Sequence, residues 1–121
     1  MQAWDGVVAL TPAVCNTTAT VVGTEYHWGI KPLTVGMHSA DLIREPNNEY
    51  DTNAIAVHIE GNMTGYLSRD QAERYAPALD VTGVTVQTMA VCESNGDGLS
   101  VKVYLPTPGD VDGAIRTCWP S

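Results

Sequence analysis

The chain is poor in positive charge and in cysteine, and it has no long apolar run. Six lysines and arginines stand against fourteen aspartates and glutamates, for a formal net charge of −8. Non-specific nucleic-acid affinity comes largely from cations that displace counterions at phosphates, so this balance argues against a broad groove binder. Recognition of a small feature, such as a strand end, stays open. The three cysteines, Cys15, Cys92 and Cys118, are far apart and odd in number, with no CxxC spacing. Neither a zinc site nor a disulfide framework is expected, and no cofactor is implied. The apolar runs are only a few residues long, and the opening Met-Gln-Ala-Trp-Asp lacks the regions of a signal peptide. The expectation is therefore a cytoplasmic protein with no membrane contact.

Catalytic signals are also missing. His27, His38 and His58 are scattered, none at i+4 from another histidine or from a cysteine. The chain carries no phosphate loop, nucleotide fingerprint or GxSxG elbow. No catalytic residue and no metal ligand is expected, and the chain reads as a binding protein, not an enzyme.

What is present is a pattern of short strands. Hydrophobic residues make up 44% of 121 positions, enough for one domain with an unaided core. Thr18 to Val22, Met37 to Arg44, Ile55 to Ile59 and Met63 to Leu67 read as strands, the last two joined by a turn at Glu60-Gly-Asn62. Val84 to Cys92 reads as a strand with a bulge near Thr88–Val91. Asn95-Gly-Asp-Gly98 signals a hairpin into Leu99–Leu105, where apolar and polar residues alternate cleanly.

Between the hairpins, Ser68 and Gln71 have capping-box spacing. Ala72, Tyr75, Ala76 and Leu79 then form one apolar stripe of a helix that Pro77 should cut short. Asp70 and Arg74 stand at ion-pair spacing on its outer face. The expected fold is mainly β, a small six-stranded β-barrel with one short helix inserted between hairpins. Residues 1–17 read as an extension or edge strand, 18–105 as the barrel, and 106–121 as a Pro/Gly/Asp-rich tail anchored by Trp119.

The most distinctive stretch is Arg44-Glu-Pro-Asn-Asn-Glu-Tyr-Asp-Thr-Asn-Ala-Ile-Ala-Val57. Its proline, asparagines and Asp51 specify a structured loop that feeds a core strand. Tyr26, Trp28, Tyr50 and Tyr66 lie near strands and loops in the same half of the chain. Exposed aromatic side chains on a small barrel stack bases, although any one tyrosine taken alone reads first as core edge. Arg69 falls in the first helical turn, where it is either a phosphate contact beside free N–H groups or a solvated surface cation.

Together with Val22-Gly-Thr-Glu-Tyr26 and Gly65-Tyr-Leu67 before a helix, this stretch resembles the HIRAN domain across about residues 18–105. The family occurs at the front of some Swi/Snf-type ATPases and alone in bacteria and phages. The resemblance implies a small β-barrel that binds single-stranded DNA at a free 3′ end, in repair, replication or phage DNA processing. Carried over by position, Tyr26 and Tyr66 flank the terminal nucleotides, with His27 beside Tyr26. Tyr50 packs on a base, Asp51 accepts from the 3′-hydroxyl, and Asn47 or Asn48 shapes the pocket. Arg69 stands where the family has a phosphate-contacting lysine.

The chain departs from that pattern in two places. Glu25 replaces an arginine before the first pocket tyrosine, and His27 replaces a second tyrosine. With the net charge, these departures support an alternative: an acidic protein-interaction module, inhibitor or adaptor that kept the fold without DNA binding.

Overall fold

The structure is a computed structural model and describes residues 6–24, 34–94 and 99–119. Seven strands form one sheet: β1 (Val7–Ala9), β2 (Thr17–Val22), β3 (Gly36–Arg44), β4 (Ile55–Ile59), β5 (Asn62–Leu67), β6 (Thr85–Ser94) and β7 (Leu99–Leu105). Helix α1 (Arg69–Thr82) separates β5 from β6, and helix α2 (Val111–Thr117) follows β7.

Six of the strands close into an antiparallel barrel in the order β6-β3-β4-β5-β2-β7, because β7 returns to pair with β6. The seventh, β1, runs parallel to β6 and pairs with Thr85–Gln87, whereas β7 pairs with β6 from Ala90 onward. One edge of β6 is thus shared end to end by two partners. Closure leaves the six barrel strands without free edges, which is how strands this short become stable.

Alternation in sequence becomes burial in the barrel. Val101, Val103 and Leu105 of β7 point inward with Val86, Ala90 and Cys92 of β6, and all are buried. The expected bulge near Thr88–Val91 is absent: β6 pairs with β3 in unbroken register from Leu42↔Val86 to Gly36↔Cys92. The misleading residue is Thr88, which is polar yet buried, its hydroxyl donating to the Tyr104 carbonyl at 2.6 Å. Its neighbours Met89 and Val91 are apolar yet lie on the outer face, which makes the sequence pattern look shifted.

The irregularity lies in the β4–β5 pair, between Val57 and His58. Val57 pairs with Gly65 and His58 with Met63, so Thr64 is the extra residue, buried with its hydroxyl donating to the Asn62 carbonyl. Without this insertion Tyr66 would fall opposite Ile55, a core residue. The bulge instead sets Tyr66 opposite Ala56, on the other face. The turn before it is a two-residue connection through Glu60 (φ 54°) and Gly61 (φ 80°), the doubly left-handed geometry that suits strand twist.

Helix α1 buries the predicted stripe of Ala72, Tyr75, Ala76 and Leu79. Ser68 caps its start by accepting from the Gln71 N–H at 3.3 Å, and Gly83 (φ 67°) closes its end with an N–H bond to the Leu79 carbonyl. Contrary to expectation, Pro77 does not shorten it. Both Pro77 and Glu73, whose carbonyl loses a partner, lie on the exposed face, so α1 runs on to Thr82. The expected Asp70–Arg74 ion pair is not among those of the described residues.

A second correction concerns residues 106–119, read from the sequence as part of a Pro/Gly/Asp-rich tail, which carry structure of their own. Pro108 opens a 3-10 turn that runs into α2, where Val111, Ala114 and Ile115 are buried at i, i+3 and i+4 spacing. Trp119, the expected anchor, is 41% exposed, whereas Ile115 is fully buried. The Tyr75 hydroxyl donates to the Pro106 carbonyl at 2.6 Å and ties this segment to α1. Val8 and Leu10 from the chain start join the same core. Among the described residues no helix is long and apolar enough to cross a membrane.

Barrel closure requires a close approach at Gly65. A Cβ there would lie 2.5 Å from the Val22 carbonyl oxygen and 2.7 Å from Val21 Cγ1. Replacing Gly65→Ala should push β2 away from β5 and destabilise the fold by about 1–3 kcal/mol, the usual cost of overpacking. Urea denaturation followed by circular dichroism measures this; an unchanged midpoint would mean that the β2–β5 contact is not constrained.

Candidate nucleic-acid interface

The loop between β3 and β4 is built on its own short polar side chains. At its base the Glu45 N–H and Arg44 Nη1 both donate to the Ala54 carbonyl, each at 2.9 Å. Inside it, the Asn48 N–H donates to the Glu45 carbonyl and the Ala54 N–H to the Asp51 carbonyl. Asn48 Oδ1 accepts from the backbone N–H groups of Tyr50 (2.9 Å) and Asp51 (3.1 Å), and Asp51 Oδ1 accepts from the Asn53 N–H (2.9 Å). Such side-chain bonds to the next backbone amides fix the loop without secondary structure.

This rigidity presents Tyr50 outward, 81% exposed, while the Asp51 side chain beside it is only 21% exposed. Across from them stand Tyr66, on the outer face of β5, and Arg69, at the start of α1. Asn48, Tyr50, Asp51, Tyr66 and Arg69, with Glu49, Ala54 and Leu67, line one open groove of about 510 Å³. Five of the eight expected binding residues therefore converge. Asn47 lies exposed in the turn before Asn48 and does not line the groove. Tyr26 and His27, like Glu25 and Trp28, lie outside the described residues.

The groove's electrostatics are mixed. Arg69 does not stand free: its Nη2 donates to the Tyr50 carbonyl at 2.8 Å, and its Nε lies 4.0 Å from Asp51 Oδ2. Its guanidinium has further N–H donors, so a phosphate can be held without breaking the bond to Tyr50. Tyr66 donates its hydroxyl to Glu45 Oε1 at 2.9 Å. Burial first, and then the Glu45 hydrogen bond and charge, push this phenol above the usual tyrosine range.

Glu45 is the residue that sequence reasoning missed. It looks like one more loop acid, and its partner Tyr66 is 21 residues away. Only the Arg-Glu-Pro-Asn-Asn run itself marked the position. Among the described residues no cluster of three or more histidines, cysteines or acids could hold a metal ion.

A further ion pair sets the foot of the loop. Arg44 donates to Asp80 of α1 through both Nε (2.8 Å) and Nη2 (3.1 Å). The Arg44 hydrogen bond holds the Asp80 carboxyl below the ordinary carboxylate range, with a smaller contribution from Arg44's charge. A lowered folded-state pKa contributes stability that is present above the unfolded value and lost as pH falls through the folded one. Asp80→Asn should therefore be less stable than the native chain at neutral pH, and the two should converge at an acid pH well below the ordinary carboxylate range. Asp80 is half-exposed, so the neutral-pH difference should stay below about 1 kcal/mol. Chemical denaturation at the two pH values checks this; a gap that persists in acid would contradict it.

Comparison with known proteins agrees with the barrel fold. The HIRAN domain family matches residues 14–108 of the chain. Helicase-like transcription factor from Oryctolagus cuniculus is 41% identical over 61 residues, and that from Mus musculus is 39% identical over the same length. Each alignment covers 50% of this chain and 6% of the relative, so the chain spans only a small part of those proteins. Among solved structures, the crystal structure of the HIRAN domain of human HLTF superposes with a TM-score of 0.55 at 24% identity, covering 87% of this chain and 89% of that one. A Lactobacillus plantarum protein superposes with a TM-score of 0.54 at 28% identity, covering 76% and 95%. At these identities the superpositions speak for the barrel, and the loop chemistry has to be read from this chain's own residues.

Proposed function

The chain belongs to the HIRAN family, and from that premise we propose that it is a DNA-binding module that recognises a free 3′-hydroxyl end of single-stranded DNA. The observation that carries this reading is the placement of Asp51 in a groove flanked by Tyr50 and Tyr66, with Arg69 alongside. A carboxylate accepts a hydrogen bond from a hydroxyl and repels a phosphate in the same place, so Asp51 distinguishes a true strand end from a continuing or phosphorylated one. The exposed Tyr50 ring offers a stacking face, worth about 1–3 kcal/mol per base. Arg69 supplies one phosphate contact. A groove with a single lining cation among the described residues suits a terminal nucleotide better than a long backbone track.

The reading has no catalytic step. Binding, orientation and exclusion of the wrong end are all that these side chains are asked to do.

The acidic balance favours a second reading, a protein-interaction module on the same barrel. The chain carries −8 overall, and Arg69 is already engaged with the loop. A defined protein partner recovered by pull-down, together with no oligonucleotide binding, would establish it in place of the first.

Fluorescence anisotropy with short oligonucleotides that differ only at the 3′ end separates the two. The 3′-hydroxyl strand should bind at least about tenfold more tightly than its 3′-phosphorylated counterpart, a difference of about 1.4 kcal/mol. Asp51→Ala should abolish the preference, and Tyr50→Ala should weaken both strands. The salt slope should be shallow, about −0.7 for each of one to three phosphates. Equal binding of both ends by the native chain, or binding of neither, would overturn the 3′-end reading.

A further inference from the structure

We infer that Glu45 couples the stacking face of the groove to its hydroxyl-sensing end, a positioning role that rests on the 3′-end reading above. Glu45 is not among the residues that line the groove, but it hydrogen-bonds two that are. One of its oxygens, Oε1, accepts from the Tyr66 hydroxyl at 2.9 Å and from Asn48 Nδ2 at 3.0 Å. Those two donors belong to different walls, Tyr66 to β5 and Asn48 to the loop. A single carboxylate oxygen therefore joins the strand that carries one tyrosine to the loop that carries the other.

The second half of the coupling lies in the asparagine. An amide side chain has a donor end and an acceptor end, and its neighbours decide which way it faces. Glu45 can only accept when ionised, so it takes the Nδ2 end and turns Asn48 Oδ1 toward the N–H groups of Tyr50 and Asp51. Reversing the amide would leave both backbone donors facing a donor. Arg69 holds the same backbone from the other side through the Tyr50 carbonyl. The backbone that carries the Asp51 carboxylate, itself held by the Asn53 N–H, is thus placed by a relay that begins at the Tyr66 hydroxyl and passes through Glu45.

The consequence is a specificity-determining residue that touches no ligand. A base that settles against Tyr66 shifts or steadies its hydroxyl, and Glu45 passes that to the loop that reads the terminal sugar. Selectivity between 3′ ends then depends on Glu45 being an acceptor, and its charge is secondary. Glutamine, whose amide oxygen also has two lone pairs, can take both hydrogen bonds. Alanine can take neither.

Two variants test this, first without DNA and then with it. In the free protein, the Tyr66 ring resonances should titrate at lower pH in both Glu45→Gln and Glu45→Ala, because each removes the anion beside the phenol. The Tyr50 and Asp51 amides should exchange about tenfold faster in Glu45→Ala, the scale of one lost hydrogen bond, and near the native rate in Glu45→Gln. With DNA, Glu45→Ala should lose about tenfold in its preference for a 3′-hydroxyl over a 3′-phosphate strand, whereas Glu45→Gln should keep it.

If Glu45→Ala does not fold, Asn48→Asp serves instead. It keeps an acceptor for the two amides but sets a carboxylate against Glu45, and it should lose the preference too. An unchanged Tyr66 titration in Glu45→Gln, or unchanged amide exchange in folded Glu45→Ala, overturns the coupling. So does a full 3′-end preference in Asn48→Asp. Failure of the native chain to prefer a 3′-hydroxyl would overturn the 3′-end reading alone, since the titration and exchange measurements still decide the part played by Glu45.

Discussion

The groove rests on one carbonyl. The Ala54 oxygen accepts from the Glu45 N–H and from Arg44 Nη1, and those two bonds pinch the base of the β3–β4 loop so that what lies above it is short and stiff. Because the pinch continues the β3–β4 pairing past Arg44↔Ile55, the loop inherits the orientation of the barrel wall. Asn48 can then reach the amides of Tyr50 and Asp51, and Glu45 can reach across to Tyr66. Arg44 ties the last turn of α1 to the base of the loop through Asp80, and Arg69 ties its first turn to the loop through the Tyr50 carbonyl. A barrel strand, a loop and a helix thereby place five side chains around one groove.

Charge limits what such a groove can do. With a net charge of −8, the protein gains little from long-range attraction to nucleic acid, and its affinity has to come from short-range contacts. Stacking and a hydroxyl-to-carboxylate hydrogen bond are contacts of that kind, being weakly sensitive to salt and selective in geometry. The Asp51 carboxylate also penalises the wrong ligand, because a terminal phosphate beside it meets repulsion as well as lost hydrogen bonding.

Much of the fold was legible because the physics is local. Leu99, Val101, Val103 and Leu105 alternate as a half-buried strand must, and Ser68 with the stripe from Ala72 to Leu79 spells out a capped helix. Other features turned on tertiary context. Thr88 is buried because the Tyr104 carbonyl receives its hydroxyl, which no period count reveals. Helix α2 hides among Pro106, Pro108, Gly109 and Gly113, and a stripe of only three residues signals it. Pro77 is tolerated because it faces outward. For the groove, the motif named Asn48, Tyr50, Asp51, Tyr66 and Arg69, which do converge, but it also named Asn47, which does not line the groove. Glu45 was invisible because its role is a contact across 21 positions.

The central claim is that the groove between the β3–β4 loop and the start of α1 is where the ligand binds. Titrating the isotopically labelled protein with a short 3′-hydroxyl oligonucleotide, and following backbone and side-chain resonances, tests it directly. The account predicts that the largest shifts fall on Asn48, Tyr50, Asp51, Tyr66 and Arg69, with the opposite wall around Met89 and Tyr104 unmoved. Shifts centred on that opposite wall, or no shifts at saturating oligonucleotide, would contradict it.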